Sequence, residues 1–478
     1  MRVSSLRVRP EPWPWRLALL AGLAGLAGLL RSSAASAAPR ELGLNVHQSQ
    51  DVGLDATRAS GTRWVRIDLN WLDVERAAGV YDWTVIDAVV NGAQNRGLKV
   101  LAVIGYGPAW ASQGDLKGGG SLNDVPRAGT YASFVTAAVN RYKSRVTHYE
   151  LWNEPNLEQF WEGTPQDYVQ RILVPGADAV HAACSSCKVL GPGVASVGGQ
   201  YDVWMDAALQ AAASKIDIVS AHAYAAFPQD SSTAGVTSDS FYNKLEKRRV
   251  VELGGVKVYE GPASFKEVMD RRGVQKPFWL TETGLEARPG DAAQEAKQAL
   301  FYRRVLESML VRPWWEATIF YEAFDEPPAP YIYGVVVRDP AAPGGYREKQ
   351  AMGVLKRATA NQPAFGGNGT DCNDGLDNDN DGKIDFPADP DCKSEKTSSE
   401  GTYIPPPAPD AGPGPGLPAP DAGDGEPEAD SGIPGPFASE NSSEGGCSAT
   451  PSPLWLGAPG AFAIAAMLTA LVSRRRLR

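Results

Sequence analysis

Thr147-His148-Tyr149-Glu150-Leu151-Trp152 is a short β-rich run, and Asn153-Glu154-Pro155-Asn156 stops it at a carboxylate and a proline. An apolar run of this length, bounded by turn formers, reads as a buried strand. A second run of the same design, Pro277–Thr281, ends in Glu282-Thr283-Gly284. Outward from this pair, further candidate strands are Leu42–Val46, Trp64–Leu69, Lys99–Ile104, Val189–Pro192, Ile216–Ala221 and Ala317–Tyr321. Amphipathic stretches lie between several of them, at Trp83–Arg96, Tyr131–Lys143 and Ala292–Leu310. Eight strands alternating with helices from about Glu41 to Phe365 predict an α/β fold, a closed (β/α)8 TIM barrel occupying residues 38–370.

In such a barrel, chemistry sits where strands end and loops begin. Glu154 and Glu282 both fall there and are expected to face one cavity. Cleavage of a glycosidic bond needs this pair: one acid to protonate the leaving oxygen, one carboxylate to meet the oxocarbenium-like carbon. Other chemistries fail on specifics. The chain has no Gly-x-Ser-x-Gly, no His-Glu-x-x-His and no Gly-x-x-x-x-Gly-Lys, and its four histidines include no His-x-His. No metal or other cofactor is expected to serve catalysis.

The two motifs together resemble the retaining glycoside hydrolases of clan A, closest in flavour to the families around family 39 and family 5. The resemblance covers roughly Glu41–Phe365. It implies that Glu154 is the general acid/base, Glu282 the nucleophile, and Asn153 the partner of a sugar 2-hydroxyl. It also implies that Tyr224, in His222-Ala223-Tyr224, lies near the nucleophile, and that Arg66 keeps the nucleophile ionised. The clan often ends its eighth strand with Trp beneath the reactive sugar. Here the run is Ile319-Phe320-Tyr321-Glu322-Ala323-Phe324-Asp325-Glu326, so Tyr321 or Phe324 is the candidate stacking ring. Several readings stay open. His222, Tyr224 and Arg66 also suit a structural role, Asn45 and His47 either touch sugar or pack, and Glu322, Asp325 and Glu326 either bind hydroxyls or face solvent. Trp110, Trp161, Trp314 and Trp315 are sugar platforms or plain packing.

The ends carry other signals. Arg2, Arg7, Arg9 and Arg16 precede the apolar run Leu17–Leu30, and Ala35-Ser36-Ala37 offers a cleavage site, so residues 1–37 read as an export signal. Residues 394–446 are rich in Pro, Gly and Ala, with Pro-Ala-Pro-Asp-Ala-Gly at Pro407–Gly412 and again at Pro418–Gly423, as in a disordered spacer. Leu454–Val472 is long enough to form a transmembrane helix, and basic Arg474, Arg475, Arg476 and Arg478 follow it. With Cys447 upstream, residues 447–478 resemble the C-terminal sorting tail of myxobacterial surface proteins. By that resemblance Cys447 is a processing or lipidation point, and the protein is displayed at the cell surface, partnered by a membrane.

Between Cys372 and Cys392, Asp377, Asp379, Asp381, Gly382 and Asp385 match positions 1, 3, 5, 6 and 9 of a calcium loop. Position 12 is Ala388 rather than a bidentate Glu. Residues 371–393 resemble the calcium repeats of thrombospondin type 3, in which Asp389 or Asp391 would substitute. Bound Ca2+ would be structural, with Cys372–Cys392 as a closing bridge. Cys184 and Cys187 lack further Cys or His partners for zinc and read as a local disulfide or two thiols.

The formal charge of the 478-residue chain is −10, and it is unevenly spread: Asp371–Asp430 holds 16 acids against 3 bases, Pro39–Thr370 only 37 against 34. A near-neutral globular part without a basic stripe argues against nucleic acid as a partner. The expected partner is a poly- or oligosaccharide, and the expected activity is retaining O-glycoside hydrolysis. A transglycosylase, or a catalytically silent carbohydrate-binding barrel, would carry the same residues.

Overall fold

The computed structural model describes residues 40–114, 122–197, 200–224, 239–259, 261–325, 332–379, 381–397, 399–402 and 404. The export signal, nearly all of the spacer, Cys447, the apolar span of the tail, and Glu326 lie outside the described residues. Among the described residues no helix is long and apolar enough to cross a membrane.

Eight parallel strands close into a barrel: β1 Glu41–Asn45, β2 Trp64–Asn70, β3 Lys99–Gly105, β4 His148–Leu151, β5 Lys188–Ala195, β6 Ile218–His222, β7 Phe278–Thr283 and β8 Trp315–Phe320. Neighbours follow chain order, and β8 pairs with β1. All eight expected strands are present. The largest extension is in β5, which runs past Pro192 to Ala195 through a register shift between Pro192 and Val194. A bulge lets a strand absorb a proline that cannot donate to the ladder.

Helices alternate with the strands: α1 Val52–Ala59, α2 Thr84–Asn95, α3 Thr130–Tyr142, α4 Val174–Ala183, α5 Tyr201–Ala212, α6 Phe265–Arg271, α7 Ala292–Leu310 and α8 Gln350–Asn361. Their buried faces follow helical spacing, as with Tyr131, Phe134, Val135, Ala138, Val139 and Tyr142 on α3. Capping fixes some starts. Asp291 accepts from the backbone of Ala293 and Gln294 at the head of α7, and Ser264 and Glu267 form a capping box on α6.

Side chains fill the barrel. Trp64, Leu101, Leu190, Ile218, Trp279, Ala317 and Ile319 form a separate interior cluster drawn from six strands. A Cβ at Gly43 would meet the Trp64 carbonyl at 2.5 Å and Ile319 Cδ1 at 2.7 Å, so only glycine fits at that point of β1. Trp314 and Trp315 lie at the N-terminal end of β8, Trp315 fully buried, and Trp161 is buried in the main core. These three are packing residues and not sugar platforms.

The Asp-rich segment packs on the barrel helices. Leu376 joins the main core, the Asp377 amide donates to Glu307 Oε1 of α7 at 2.9 Å, and Gln362 Nε2, just past α8, donates to Asp374 Oδ2 at 2.6 Å. Cys372–Cys392 and Cys184–Cys187 are both disulfides.

Candidate active site

Four non-glycine residues with left-handed backbone cluster where β1, β3 and β4 end: His47 (φ 51°), Tyr106 (φ 62°), Trp152 (φ 77°) and Glu154 (φ 45°). Each such residue costs on the order of 1 kcal/mol or more and persists only where its surroundings demand it. Here the backbone is bent to aim side chains into the cavity. The Glu154 amide is tied to the Gly193 carbonyl at 3.0 Å, which fixes the turn after β4 against β5.

Arg66, on β2 and 1% exposed, is the hub of the site. Its Nη1 donates to Glu282 Oε1 at 2.5 Å, its Nε to Glu150 Oε2 at 2.9 Å and its Nη2 to Asn153 Oδ1 at 2.8 Å. A guanidinium only donates, so the Asn153 amide must turn its oxygen to Arg66. Its Nδ2 then has no hydrogen-bond partner and is left as a buried donor beside the carboxyl pair. The same logic sets the His222 tautomer. Nε2 lies 3.4 Å from Arg66 Nη2 and accepts, so Nδ1 carries the hydrogen and donates to Glu154 Oε1 at 2.8 Å. Burial, and then the Arg66 charge, push the His222 pKa well below its usual range, which keeps the ring neutral. Pairing of His222 with Glu282 across a bulge in the β6–β7 ladder brings both to one place.

Tyr224 donates its hydroxyl to Glu282 Oε2 at 2.8 Å. Glu154, His222 and Glu282 each present one atom within 4.8 Å of the others. Burial pushes the Glu154 pKa well above the ordinary carboxyl range, and the Glu282 charge adds to that. Burial raises Glu282 too, but Arg66, the Tyr224 hydroxyl and the His47 charge all favour its ionised form. The two carboxyls are thus differentiated: the Glu154 pKa lies well above the ordinary range, while that of Glu282 is raised less, because Arg66, Tyr224 and His47 favour its anion. One can deliver a proton and the other can attack or shield a cationic carbon.

The structure therefore brings Glu154, Glu282, Asn153, Arg66, His222 and Tyr224 together. Arg66, expected among the substrate-binding residues, spends its donors on protein partners. Tyr321 is buried and makes edge contacts with His47, Tyr224 and Tyr333 in one ring cluster. Trp110 is half-buried and donates Nε1 to the Glu75 carbonyl at 2.8 Å.

Some site residues escaped the sequence reading. Glu150, inside the quoted β4 run, is one; Asp68 is another. His47 bridges Asp68 Oδ2 (2.8 Å) and Glu322 Oε2 (3.2 Å), linking the ends of β1, β2 and β8. Burial alone would lower the His47 pKa, but the two carboxylates raise it to about 10, so the ring is charged. An alternation rule applied to β2 would have placed Asp68 on the same face as Arg66, and that signal was available. Asp325 is buried and pairs with buried Lys349 Nζ at 2.5 Å.

In the Asp-rich segment, Asp377, Asp379 and Asp381 each offer an oxygen within 4.8 Å of the others and could hold a cation. Asp385 does not join them. It accepts from the Gly375 amide at 3.0 Å and faces Arg357 Nη1 at 3.6 Å, because its own left-handed backbone (φ 53°) turns it away. Asp389 Oδ2 is buried without a hydrogen-bond partner.

A buried, differentiated carboxyl pair at the C-terminal mouth of a (β/α)8 barrel defines a class of site built for acid-assisted displacement at carbon. Residues 40–253 match the model of glycosyl hydrolases family 39. The match includes Arg66, Asn153, Glu154, His222 and Tyr224; Glu282 lies beyond it and is assigned by geometry. A "Beta-xylosidase" of Geobacillus stearothermophilus is 25% identical over 157 residues, covering 30% of this chain and 31% of the relative. A family 39 glycoside hydrolase from Bacteroides cellulosilyticus WH2 is 20% identical, covering 67% of this chain and 63% of that one, with a TM-score of 0.49. A monomeric beta-xylosidase from Caulobacter crescentus CB15 is 20% identical, covering 68% and 70%, with a TM-score of 0.47. This chain spans about a third of the Geobacillus protein's length.

Proposed function

We propose that the protein is a retaining glycoside hydrolase acting on a poly- or oligosaccharide, with β-xylosides the first substrates to try. One observation supports this above all: oxygens of Glu154 and Glu282 approach within 4.8 Å. An inverting enzyme needs about 6.5–9.5 Å between its carboxyls to seat a water, whereas about 5–5.5 Å suits direct attack.

In the first step Glu282 Oε attacks the anomeric carbon as the bond to the leaving oxygen breaks. Glu154 gives that oxygen its proton. His222 Nδ1–H occupies Glu154 Oε1, which leaves Oε2 as the proton-bearing oxygen. As Glu282 becomes an ester its charge disappears, so Glu154 loses the neighbour that held its proton and becomes a base. It then takes a proton from water, whose oxygen attacks the same carbon and releases Glu282 as carboxylate. Asn153 Nδ2 is free to bind the 2-hydroxyl throughout, and Arg66 and Tyr224 receive the returning charge on Glu282.

The export signal, Cys447 and the apolar span of the tail support secretion with display at the cell surface. The acidic trio Asp377, Asp379 and Asp381 supports a structural Ca2+ site.

The test is turnover of a panel of aryl β-glycosides, starting with 4-nitrophenyl β-xyloside, with the product anomer read by NMR. Wild type should release product with retained configuration, and Glu282→Ala should release none. Inversion would refute the mechanism. Silence of the wild type across aryl glycosides and polysaccharides would favour a carbohydrate-binding barrel instead.

A further inference from the structure

Glu150 lies on β4, is fully buried, and has no place in the two-carboxylate mechanism. Both of its oxygens are held. Oε2 accepts from Arg66 Nε at 2.9 Å, and Oε1 accepts from Thr281 Oγ1 at 2.7 Å. A Cβ at Gly193 of β5 would stand 3.3 Å from Oε1, so the strand backbone closes the remaining side. Thr281 is the residue before Glu282. The carboxylate therefore grips the guanidinium on one side and the nucleophile's own strand on the other.

A buried carboxylate is costly unless paired, and the pairing divides one positive charge between two negative ones. We propose that Glu150 is a positioning residue that aims Arg66 at Glu282 and, by taking up part of its charge, sets the pH window of turnover. The inference rests on the glycosidase reading above. Its geometry has two parts. Arg66 presents Nε to Glu150 and Nη1 to Glu282, so the planar fork cannot rotate about one partner without leaving the other. The Thr281 hydroxyl fixes the height of Glu150 relative to β7.

The charged groups facing Arg66 include Asp68, from β2 itself, whose charge acts on the guanidinium alongside those of Glu150 and Glu282. Arg66 and Glu150 face Glu282 from β2 and β4, Tyr224 and His222 from β6, and His47 from β1. Tyr106, Tyr321 and Tyr333 stand close, and burial holds all three protonated. Tyr168 adjoins Glu150 and is likewise held protonated by burial. The Glu150 charge raises the pKa of both Glu154 and Glu282. Its removal should lower both.

The experiment is the pH profile of kcat/KM for wild type, Glu150→Gln and Glu150→Asp in the full chain, on the aryl glycoside that the wild type cleaves. Gln can keep both contacts, accepting from Arg66 and donating to Thr281, while losing the charge. Both limbs of its profile should move to lower pH, by roughly one unit. Asp keeps the charge and shortens the reach, so its kcat should fall while its limbs stay in place. Limbs of Glu150→Gln that coincide with wild type overturn the proposal. So do displaced limbs in Glu150→Asp, even if Glu150→Gln fails to fold. A wild type without turnover overturns the glycosidase reading itself; an active wild type with unmoved limbs overturns only the role of Glu150.

Discussion

Arg66→Lys tests the hub directly. Lysine keeps one positive charge but loses the planar fork, and its shorter side chain can replace Arg66 Nε near Glu150 more easily than Nη1 near Glu282. The charge would then retreat from Glu282 by about 2 Å. With an effective dielectric of about 20, moving a unit charge from about 4 Å to about 6 Å weakens its attraction by about 1.4 kcal/mol. That equals about one pKa unit, with the Glu282 pKa rising because its anion is less stabilised. The acid limb of kcat/KM should therefore move up by about one pH unit, opposite in sign to Glu150→Gln. Two charge-assisted hydrogen bonds are also lost, those to Glu282 and Asn153, each worth about 1.5–3 kcal/mol. Turnover should accordingly fall by about 10²-fold or more even at the new optimum, and the thermal midpoint should drop. The assay is kcat/KM across pH beside a melting curve. A folded variant within threefold of wild type, with its acid limb unmoved, would refute the assignment of Arg66.

Glu154→Gln carries a stability prediction with a definite sign. The folded pKa of Glu154 is raised, so the native state holds a proton that the unfolded chain gives up near pH 4.5. The stability this supplies is full below pH 4.5 and is lost as pH climbs. The variant does not titrate there, so its melting temperature should gain on wild type from pH 4 to pH 7; a constant difference would contradict the burial argument. Lys349→Met strands Asp325 without its buried ionic partner and removes the Lys349 donor to the Ala287 carbonyl, at a cost of about 3–5 kcal/mol in urea unfolding. Asp325→Asn added to it should recover part of the loss. Chelation should lower the melting point of the barrel itself, because the Asp-rich segment packs on α7 and α8; re-addition of Ca2+ at about 100 times its Kd should restore about 2.7 kcal/mol.

The barrel was legible because its signal is local. Apolar runs such as Lys99–Ile104 must be strands wherever they end up, and the stop signals after Trp152 and Thr281 mark strand ends without reference to any partner. The same locality exposed Glu154 and Glu282. Asp385 differs for the complementary reason: it satisfies the calcium-loop spacing, but its carboxylate accepts from the Gly375 amide and faces Arg357, partners the spacing does not encode.

What the sequence by itself determined was the order of strands and helices and the two carboxyl groups at strand ends. These follow from hydrophobic periodicity and turn chemistry, which act over a few residues. Only the tertiary structure decided which carboxyl keeps its proton, which histidine is charged and which is neutral, and that Glu150 shares Arg66 with Glu282. Arg66 and Glu282 are 216 positions apart. Burial and charge act across space, and that space exists only once β8 has closed on β1.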